Sequence, residues 1–224
     1  MIRLNNVSKT YKTRSGDKSV LHDVSLNVPK GAKIGILGCN GSGKSTLIRL
    51  LGGAELPSSG SVTRNMTVSW PLAFTGAFQG SLTGIDNLRF VCRVYGTDFP
   101  TALNYVEHFA ELGRYLREPY KTYSSGMKAR LAFAISMAIE FDCFLIDEIV
   151  SVGDSRFHEK CRVELLEKRS DRAIVLVSHH PFLVRNICNE VLVLNHGVIH
   201  KFDSIDESYN FYDALIYNDK RDSN

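Results

Sequence analysis

The sequence has no apolar run long enough to cross a membrane. Its longest apolar stretch, residues 131–141, is interrupted by Ser136 and Glu140, whereas a transmembrane helix needs about 20 consecutive apolar residues. The first residues also lack the charged, apolar and small-residue order of a secretory signal peptide. We therefore expect any work at a membrane to be done from the cytoplasmic surface.

Cysteine is scarce and has no motif spacing. The five cysteines are an odd number, and no two of them form a C-x-x-C pair. A disulfide scaffold and a zinc site are therefore disfavoured, and a reducing compartment is the simplest environment for the protein.

Neither sign of charge predominates. The chain has 27 Lys and Arg against 24 Asp and Glu, a formal net charge of +3. A protein that binds nucleic acid by neutralising phosphates is usually more basic, with clustered cations, so we expect no nucleic-acid partner. Of the 224 residues, 44% are hydrophobic, which suffices for a packed core and excludes disorder as the main state.

Short apolar segments and helical patterns make up most of the sequence. Residues 1–28 alternate apolar and polar, which predicts two half-buried strands with a polar, turn-like insertion at 12–19. Apolar positions recur at helical spacing from about 81 to 140. Apolar runs typical of buried parallel strands lie at 33–37, 143–147, 173–177 and 191–194. We therefore predict an α/β core with an N-terminal antiparallel β portion and an inserted helical segment.

A glycine-rich loop follows the first apolar strand and opens a helix. Residues 38–45 read GCNGSGKS and fit G-x-x-x-x-G-K-[ST] in its required context. The glycines let backbone N–H groups approach phosphate oxygens. Lys44 is expected to reach the β- and γ-phosphates, and Ser45 to ligate Mg²⁺. An unrelated glycine-rich turn is the alternative. The predicted nucleotide-binding residues are Gly38, Cys39, Asn40, Gly41, Ser42, Gly43, Lys44, Ser45 and Thr46.

An acidic pair, Asp147 and Glu148, ends the strand at 143–147. The carboxyl end of a parallel strand faces the usual ligand crevice of such a sheet. Asp147 therefore suits a role in holding Mg²⁺, and Glu148 suits polarising an attacking water. The alternative is that the pair caps the next helix. No N-K-x-D guanine-reading motif is present, which disfavours a GTPase.

Together these motifs resemble the ATP-binding subunits of ABC transporters. The resemblance implies a P-loop NTPase core of ABC type, with residues 1–80 and 141–224 as the core and about 81–140 as a helical subdomain. It implies that Tyr11 stacks on adenine and that His179 contacts the γ-phosphate. It also implies that Gln79 senses the metal and the water while touching a membrane partner.

Residues 123–127, YSSGM, occupy the position of the family signature L-S-G-G-Q. They depart from it at three positions but retain Ser124 and Gly126. A hydroxyl and exposed N–H groups at a helix start can hold a phosphate, although such a serine can also be a plain helix cap. The resemblance implies that Ser124 and Gly126 act in trans on ATP held by a second copy of the chain, so a homodimer with two sites is expected.

Within the family, the capsular-polysaccharide exporters of Gram-negative bacteria are the group most similar to this sequence. The similarity implies an ATPase that is bound peripherally on the cytoplasmic side of the inner membrane. It also implies that the partner is an integral membrane permease, through which the polysaccharide is transported. The alternatives are an exporter of O-antigen or teichoic-acid type, a soluble ABC ATPase and a P-loop kinase. The residues that carry the similarity are 69–84, 86–96, 123–134 and 144–157.

Overall fold

The structure is a computed structural model that describes residues 1–72, 76, 78–147, 155–178 and 181–222. The chain forms two compact units. The first contains residues 1–69, 142–149 and 171–224, and the second contains residues 70–141 and 150–170. Most of the strands belong to the first unit, and the second unit is mainly helical.

The first sheet is antiparallel and has three strands in the order β2-β1-β4, which are β1 (Ile2–Thr13), β2 (Gly16–Val28) and β4 (Ser59–Arg64). Ile2 and Leu4 are buried while Arg3 and Asn5 are exposed, so the predicted half-buried alternation is confirmed in β1. The strand β4 was not predicted, because its sequence SGSVTR is mostly polar and exposed and carries no apolar period.

The polar segment 12–19 is not the turn that its composition predicted. β1 continues to Thr13, β2 starts at Gly16, and Tyr11 pairs with Lys18 across the hairpin. The strands extend this far because backbone groups form the ladder, whatever the polarity of the side chains. This extension places Tyr11 and Lys18 side by side.

The second sheet has six strands in the order β5-β6-β7-β3-β8-β9. They are β3 (Lys33–Leu37), β5 (Val68–Pro71), β6 (Cys143–Asp147), β7 (Ala173–Ser178), β8 (Glu190–Asn195) and β9 (Val198–His200). The four predicted buried strands are confirmed as β3, β6, β7 and β8, and their pairs are parallel. Leu37 pairs with Ser178 and Asp147 with Val177. The strands β3 and β6 therefore end at the same edge of the sheet.

Among its described residues, the first unit has three helices, α1 (Lys44–Gly52), α6 (Pro181–Ile187) and α7 (Ile205–Asp222). A buried apolar cluster joins α1 to both sheets, and its members include Leu4 from β1, Ile36 from β3 and Leu47 from α1. This packing holds the start of α1 directly beyond the end of β3, where the glycine-rich loop lies.

The second unit contains α2 (Gly84–Tyr95), α3 (Phe99–Ala110), α4 (Ser125–Ala138) and α5 (Ser155–Arg162), short 3₁₀ helices at Gly113–Arg117 and Tyr120–Thr122, and a π-helical turn at Val163–Glu167. Thr83 caps α2 and Asp98 caps α3, each by accepting a backbone N–H bond. The helices predicted for about 81–140 are therefore confirmed as α2, α3 and α4. Within the described residues, none of the helices combines the length and apolarity needed to cross a bilayer.

Candidate nucleotide-binding site

The glycine-rich loop runs from the end of β3 to the first turn of α1. Gly41 has a φ of 82° and Gly43 a φ of 108°, a region that side-chain-bearing residues rarely occupy. Gly43 is the N-terminal cap residue of α1, and its carbonyl oxygen accepts the first helical bond from Leu47 N at 2.9 Å. The backbone thus turns tightly and presents a helix N-terminus, which favours anions.

Gly38 opens this loop at a position where no side chain fits. A Cβ atom there would lie 2.6 Å from the carbonyl oxygen of Leu194 and 2.6 Å from Ser42 Oγ. The Ser42 hydroxyl is itself buried and has no hydrogen-bond partner among the described residues. An unpaired buried hydroxyl inside a glycine cradle fits a ligand that is rich in acceptor oxygens, such as a polyphosphate.

Lys44 is buried within the loop that it follows. Its Nζ donates hydrogen bonds to the carbonyl oxygens of Gly38 at 2.8 Å and Cys39 at 2.9 Å. Burying an ammonium group is costly unless it is hydrogen-bonded, and these two carbonyls offset the cost. The arrangement holds a positive charge at the loop, where it can attract phosphate.

A cavity of about 690 Å³ brings together most of the predicted nucleotide residues of the first unit, but Gly38, Cys39 and Ser42 are not part of its lining. This volume lies in the range typical of small-molecule sites. Its lining residues are Tyr11, Lys18, Val20, Asn40, Gly41, Gly43, Lys44, Ser45, Thr46 and Asp147. Lys18 and Val20 were missed by sequence reasoning. They lie two residues apart on one strand, and side chains with this spacing point to the same face of a sheet. This spacing is the sequence signal that could have identified them as a pair lining one cavity.

Ser45 and Asp147 place a hydroxyl group and a carboxylate in the lining of this cavity. Asp147 is the last residue of β6, and Ser45 lies in the first turn of α1. Both line the cavity, and a carboxylate with a hydroxyl is a donor set that suits a hard cation. The chemistry of these residues therefore fits Mg²⁺ bound together with phosphate.

The signature segment lines a cavity within the second unit. Ser124 caps α4, and its Oγ accepts from Met127 N at 3.3 Å, so the helix-cap alternative holds for this serine. At Gly126, apart from the neighbouring backbone of α4 itself, no atom of the described residues lies within 4 Å of where a Cβ would be. A cavity of about 530 Å³ is lined by Glu111, Leu112, Gly113, Tyr115, Ser124, Gly126, Met127 and Arg130.

Gln79 also lies in the second unit, with an exposed side chain and a fixed backbone. Its N–H donates to Asn87 Oδ1 at 2.9 Å, and its carbonyl oxygen accepts from Asn87 Nδ2 at 3.2 Å. The buried Asn87 was missed by sequence reasoning, because nothing in its own neighbourhood marks it as a partner of Gln79. It anchors the Gln79 loop to α2 and leaves the amide side chain available for contacts.

Glu148 and His179, the predicted catalytic base and the predicted γ-phosphate contact, lie outside the described residues. Their roles remain predictions. The same holds for Gln79 as a metal ligand, because the described contacts of this residue involve its backbone only.

Comparison with known proteins assigns the chain to a family. The family model described as "ABC transporter" matches residues 21–151. The ATP-binding protein BexA of Haemophilus influenzae is 58% identical over 95% of this chain and 98% of that protein. The capsule polysaccharide export ATP-binding protein CtrD of Neisseria meningitidis serogroup B is 57% identical over 96% of this chain and 100% of that protein.

More distant proteins agree with this assignment. The teichoic acids export ATP-binding protein TagH of Staphylococcus haemolyticus is 34% identical over 99% of this chain and 91% of that protein. A solved dimeric structure of the ATP-binding cassette MJ0796 bound to ADP and Pi has a TM-score of 0.76 at 24% identity, and the match covers 91% of this chain and 100% of that one. It confirms the predicted fold class. The chain, with its phosphate loop and signature segment, belongs to the ABC transporter family.

Proposed function

We propose that this chain is the ATP-hydrolysing subunit of an ABC exporter that drives capsular polysaccharide across the inner membrane through a separate membrane subunit. The observation that carries the ATPase assignment is the cavity shared by Tyr11, the phosphate loop and Asp147. The substrate class rests on the near-full-length similarity to BexA and CtrD. The 34% identity to TagH leaves a teichoic-acid type of exporter as the weaker alternative.

The predicted site residues have distinct tasks in this proposal. Tyr11 provides a ring for the base, and the loop backbone and Lys44 hold the phosphates. Ser45 and Asp147 would hold Mg²⁺, with Gln79 as the further ligand that the family resemblance implies. Bound MgATP supplies a phosphoryl group whose transfer to water releases free energy. Glu148 accepts a proton from that water, and His179 donates a hydrogen bond to the γ-phosphate.

The complete site requires two copies of the chain. We treat residues 1–224 as one ABC ATP-binding domain, with a core at 1–80 and 141–224 and a helical subdomain at about 81–140. One phosphate loop and one signature segment are present per chain, and the open space at Gly126 suits contact with a neighbouring molecule. In a homodimer, Ser124 and Gly126 of each subunit complete the site of the other.

An exposed apolar stripe on α2 supports attachment to a membrane partner. Phe90 is 62% exposed and Val94 is 60% exposed, and they lie one turn apart on the same face of the helix. Exposed apolar groups of this size often mark a protein interface. Because Asn87 ties α2 to the Gln79 loop, a permease segment bound at Phe90 and Val94 would sit on the element that carries Gln79. The chain is then peripheral on the cytoplasmic side of the inner membrane.

The test is ATPase activity with and without the co-expressed membrane partner. We expect the purified pair to hydrolyse ATP faster than the isolated chain, with release of phosphate and no phosphorylated product. We also expect cells whose only copy carries Glu148→Gln to lose surface capsule and to retain polymer inside. Sedimentation of the chain with ribosomes instead of membranes, or transfer of phosphate to a small molecule, would contradict the proposal.

A further inference from the structure

The phenol group of Tyr11 is held by residues for which the proposed mechanism has no task. Its hydroxyl donates to Glu55 Oε2 at 2.6 Å and accepts from Arg49 Nη2 at 3.2 Å. The same hydroxyl lies 3.3 Å from Thr46 Oγ1. Arg49 Nε also donates to Glu55 Oε1. The ring that lines the nucleotide cavity is therefore fixed at its polar end by a carboxylate that follows α1.

The Glu55 carboxylate lies in an environment that keeps it ionised. Its side chain is 22% exposed, and Lys9 Nζ lies 3.4 Å from Oε2. Burial by itself raises the pKa of Glu55, but the hydrogen bonds from Tyr11 and Arg49 outweigh burial and lower the pKa overall. At neutral pH the carboxylate is thus a strong acceptor for the phenol hydrogen.

A cation covers the Tyr11 ring. The ammonium group of Lys9 lies over the ring at 5.1 Å from its centroid, and it donates to the carbonyl oxygen of Leu56 at 2.8 Å. A cation over a ring face is a favourable contact. With the hydroxyl bound to Glu55 and the ammonium over the ring, both the rotation and the tilt of the ring are restricted.

We propose that Glu55 is a positioning residue for base recognition, which fixes the Tyr11 ring through its hydroxyl and so sets the plane on which the adenine base stacks. The inference rests on the proposed function, because it requires ATP to occupy the cavity at Tyr11. A stacking contact depends on the orientation of the ring, and a ring that is already oriented loses less freedom when the base binds.

The test compares a ligand that has a base with one that lacks it. Affinities of the full-length chain for MgATP and for inorganic tripolyphosphate with Mg²⁺ are measured by calorimetry for the wild type, Glu55→Ala, Glu55→Gln and Tyr11→Phe. We expect Glu55→Ala to weaken ATP binding about 5- to 10-fold, the size of one lost hydrogen bond, and to leave tripolyphosphate binding unchanged. Glu190→Gln, an exposed carboxylate on β8, is the matched control.

A double variant shows whether Glu55 acts through the Tyr11 hydroxyl. If it does, Tyr11→Phe with Glu55→Ala weakens ATP binding no more than Tyr11→Phe alone, because the two changes remove the same interaction. Two results would overturn the inference: losses of ATP affinity that add in the double variant, or a loss of tripolyphosphate affinity as large as the loss of ATP affinity. Either result would mean that the hydrogen bonds around Tyr11 act on the phosphate loop through Thr46 and not on the base. If Glu55→Ala fails to fold, the affinities of Glu55→Gln and Tyr11→Phe for ATP and for tripolyphosphate are compared in its place. A wild-type chain that binds no ATP refutes the proposed function itself, whereas ATP binding that Glu55→Ala leaves intact refutes only this inference.

Discussion

The hydroxyl group of Tyr123 donates a hydrogen bond to the backbone carbonyl of Tyr115. Tyr123 is 4% exposed, and its ring lies 5.5 Å from that of Tyr120. The family signature begins with leucine, which can pack in the same way but cannot donate. In this chain, therefore, the first position of the signature also fixes the 3₁₀ helix that lines the signature cavity.

Tyr123→Phe removes this bond and keeps the ring. We expect the free energy of unfolding to fall by about 1 kcal/mol, because one hydrogen bond is lost, while the backbone N–H of Glu118 still donates to the Tyr115 carbonyl. We also expect weaker ATP-dependent dimerisation, since the lining of the signature cavity is less well fixed. Thermal unfolding and light scattering measure the two effects. Tyr115→Phe, which keeps the accepting carbonyl, is the control, and equal effects of the two variants would contradict the interpretation.

Substitutions at two glycines of the second unit should distinguish effects on folding from effects on dimerisation. A Cβ at Gly84 would lie 2.6 Å from the Tyr123 hydroxyl oxygen, whereas a Cβ at Gly126 would contact no other part of the chain that the structure describes. We expect Gly84→Ala to lower the free energy of unfolding by about 1–3 kcal/mol through overpacking. Gly126→Ala should keep the wild-type Tm and yet impair dimerisation, because its methyl group lies on the proposed interface. Normal dimerisation of Gly126→Ala would exclude this face from the interface.

Lys44→Ala is expected to fail at nucleotide binding. The variant removes the ammonium group that lies in the loop against the Gly38 and Cys39 carbonyls. We expect ATP affinity to fall about 10- to 100-fold, as for the loss of a charge-assisted hydrogen bond. Calorimetry measures the change. Lys18→Ala, which removes the other lysine lining the cavity, should weaken binding less, and the reverse order would argue against the assignment of Lys44.

Glu148→Gln is expected to fail later, at hydrolysis. Removal of a general base typically costs about 10²- to 10⁴-fold in rate, while the phosphate loop and Tyr11 still hold the nucleotide. We therefore expect nearly normal ATP affinity, loss of steady-state phosphate release, and dimers that accumulate during size-exclusion chromatography with MgATP. A variant that hydrolyses ATP at the wild-type rate would show that another residue is the base.

The buried carboxyl group of Glu164 makes the free energy of unfolding depend on pH in the acid range. Burial by itself raises the pKa of this carboxyl, but hydrogen bonds from Lys168 and Arg169 outweigh it and lower the pKa. A carboxyl whose pKa is lower in the folded state stabilises the protein above its unfolded value of about 4.5, and this stability is lost as the pH falls through the folded value. Glu164→Gln should therefore reduce the free energy of unfolding at pH 7 by about 2–3 kcal/mol, because Arg169 loses its buried partner.

The measurement is urea unfolding of the wild type and Glu164→Gln from pH 7 to pH 3. The difference between the two proteins should begin to shrink near pH 4.5, where the Glu164 carboxyl of the unfolded chain takes up its proton, and should continue to shrink as the pH falls through the lower pKa of the folded state. A constant difference across this range would mean that Glu164 acts by shape and not by charge. Glu167→Gln, an exposed partner of Arg162, is the control and should have little effect.

The sequence was sufficient for features that depend on neighbouring residues. Short runs of contiguous residues form three of these features: the phosphate loop, the helix start at Lys44 and the acidic end of β6. The spacing of residues along the sequence is therefore enough to predict them. The buried strands were predictable for the same reason, because a short apolar run between turn residues has few other uses. The strand β4 was not predictable from the sequence, since its polar residues form a strand only because β1 lies beside them.

The tertiary structure decided the contacts between residues that are distant along the chain. The bond between Tyr11 and Glu55 joins residues that are 44 positions apart. The bond between Gln79 and Asn87 spans only eight positions, but it joins a loop to a helix, and no local pattern marks either partner. A carboxylate or amide is a common surface residue, and only folding reveals that it meets a particular hydroxyl or backbone group. The chemistry of the loop was thus set by local sequence. The orientation of the Tyr11 ring was set by packing, because a hydrogen bond requires a distance that spacing along the chain does not specify.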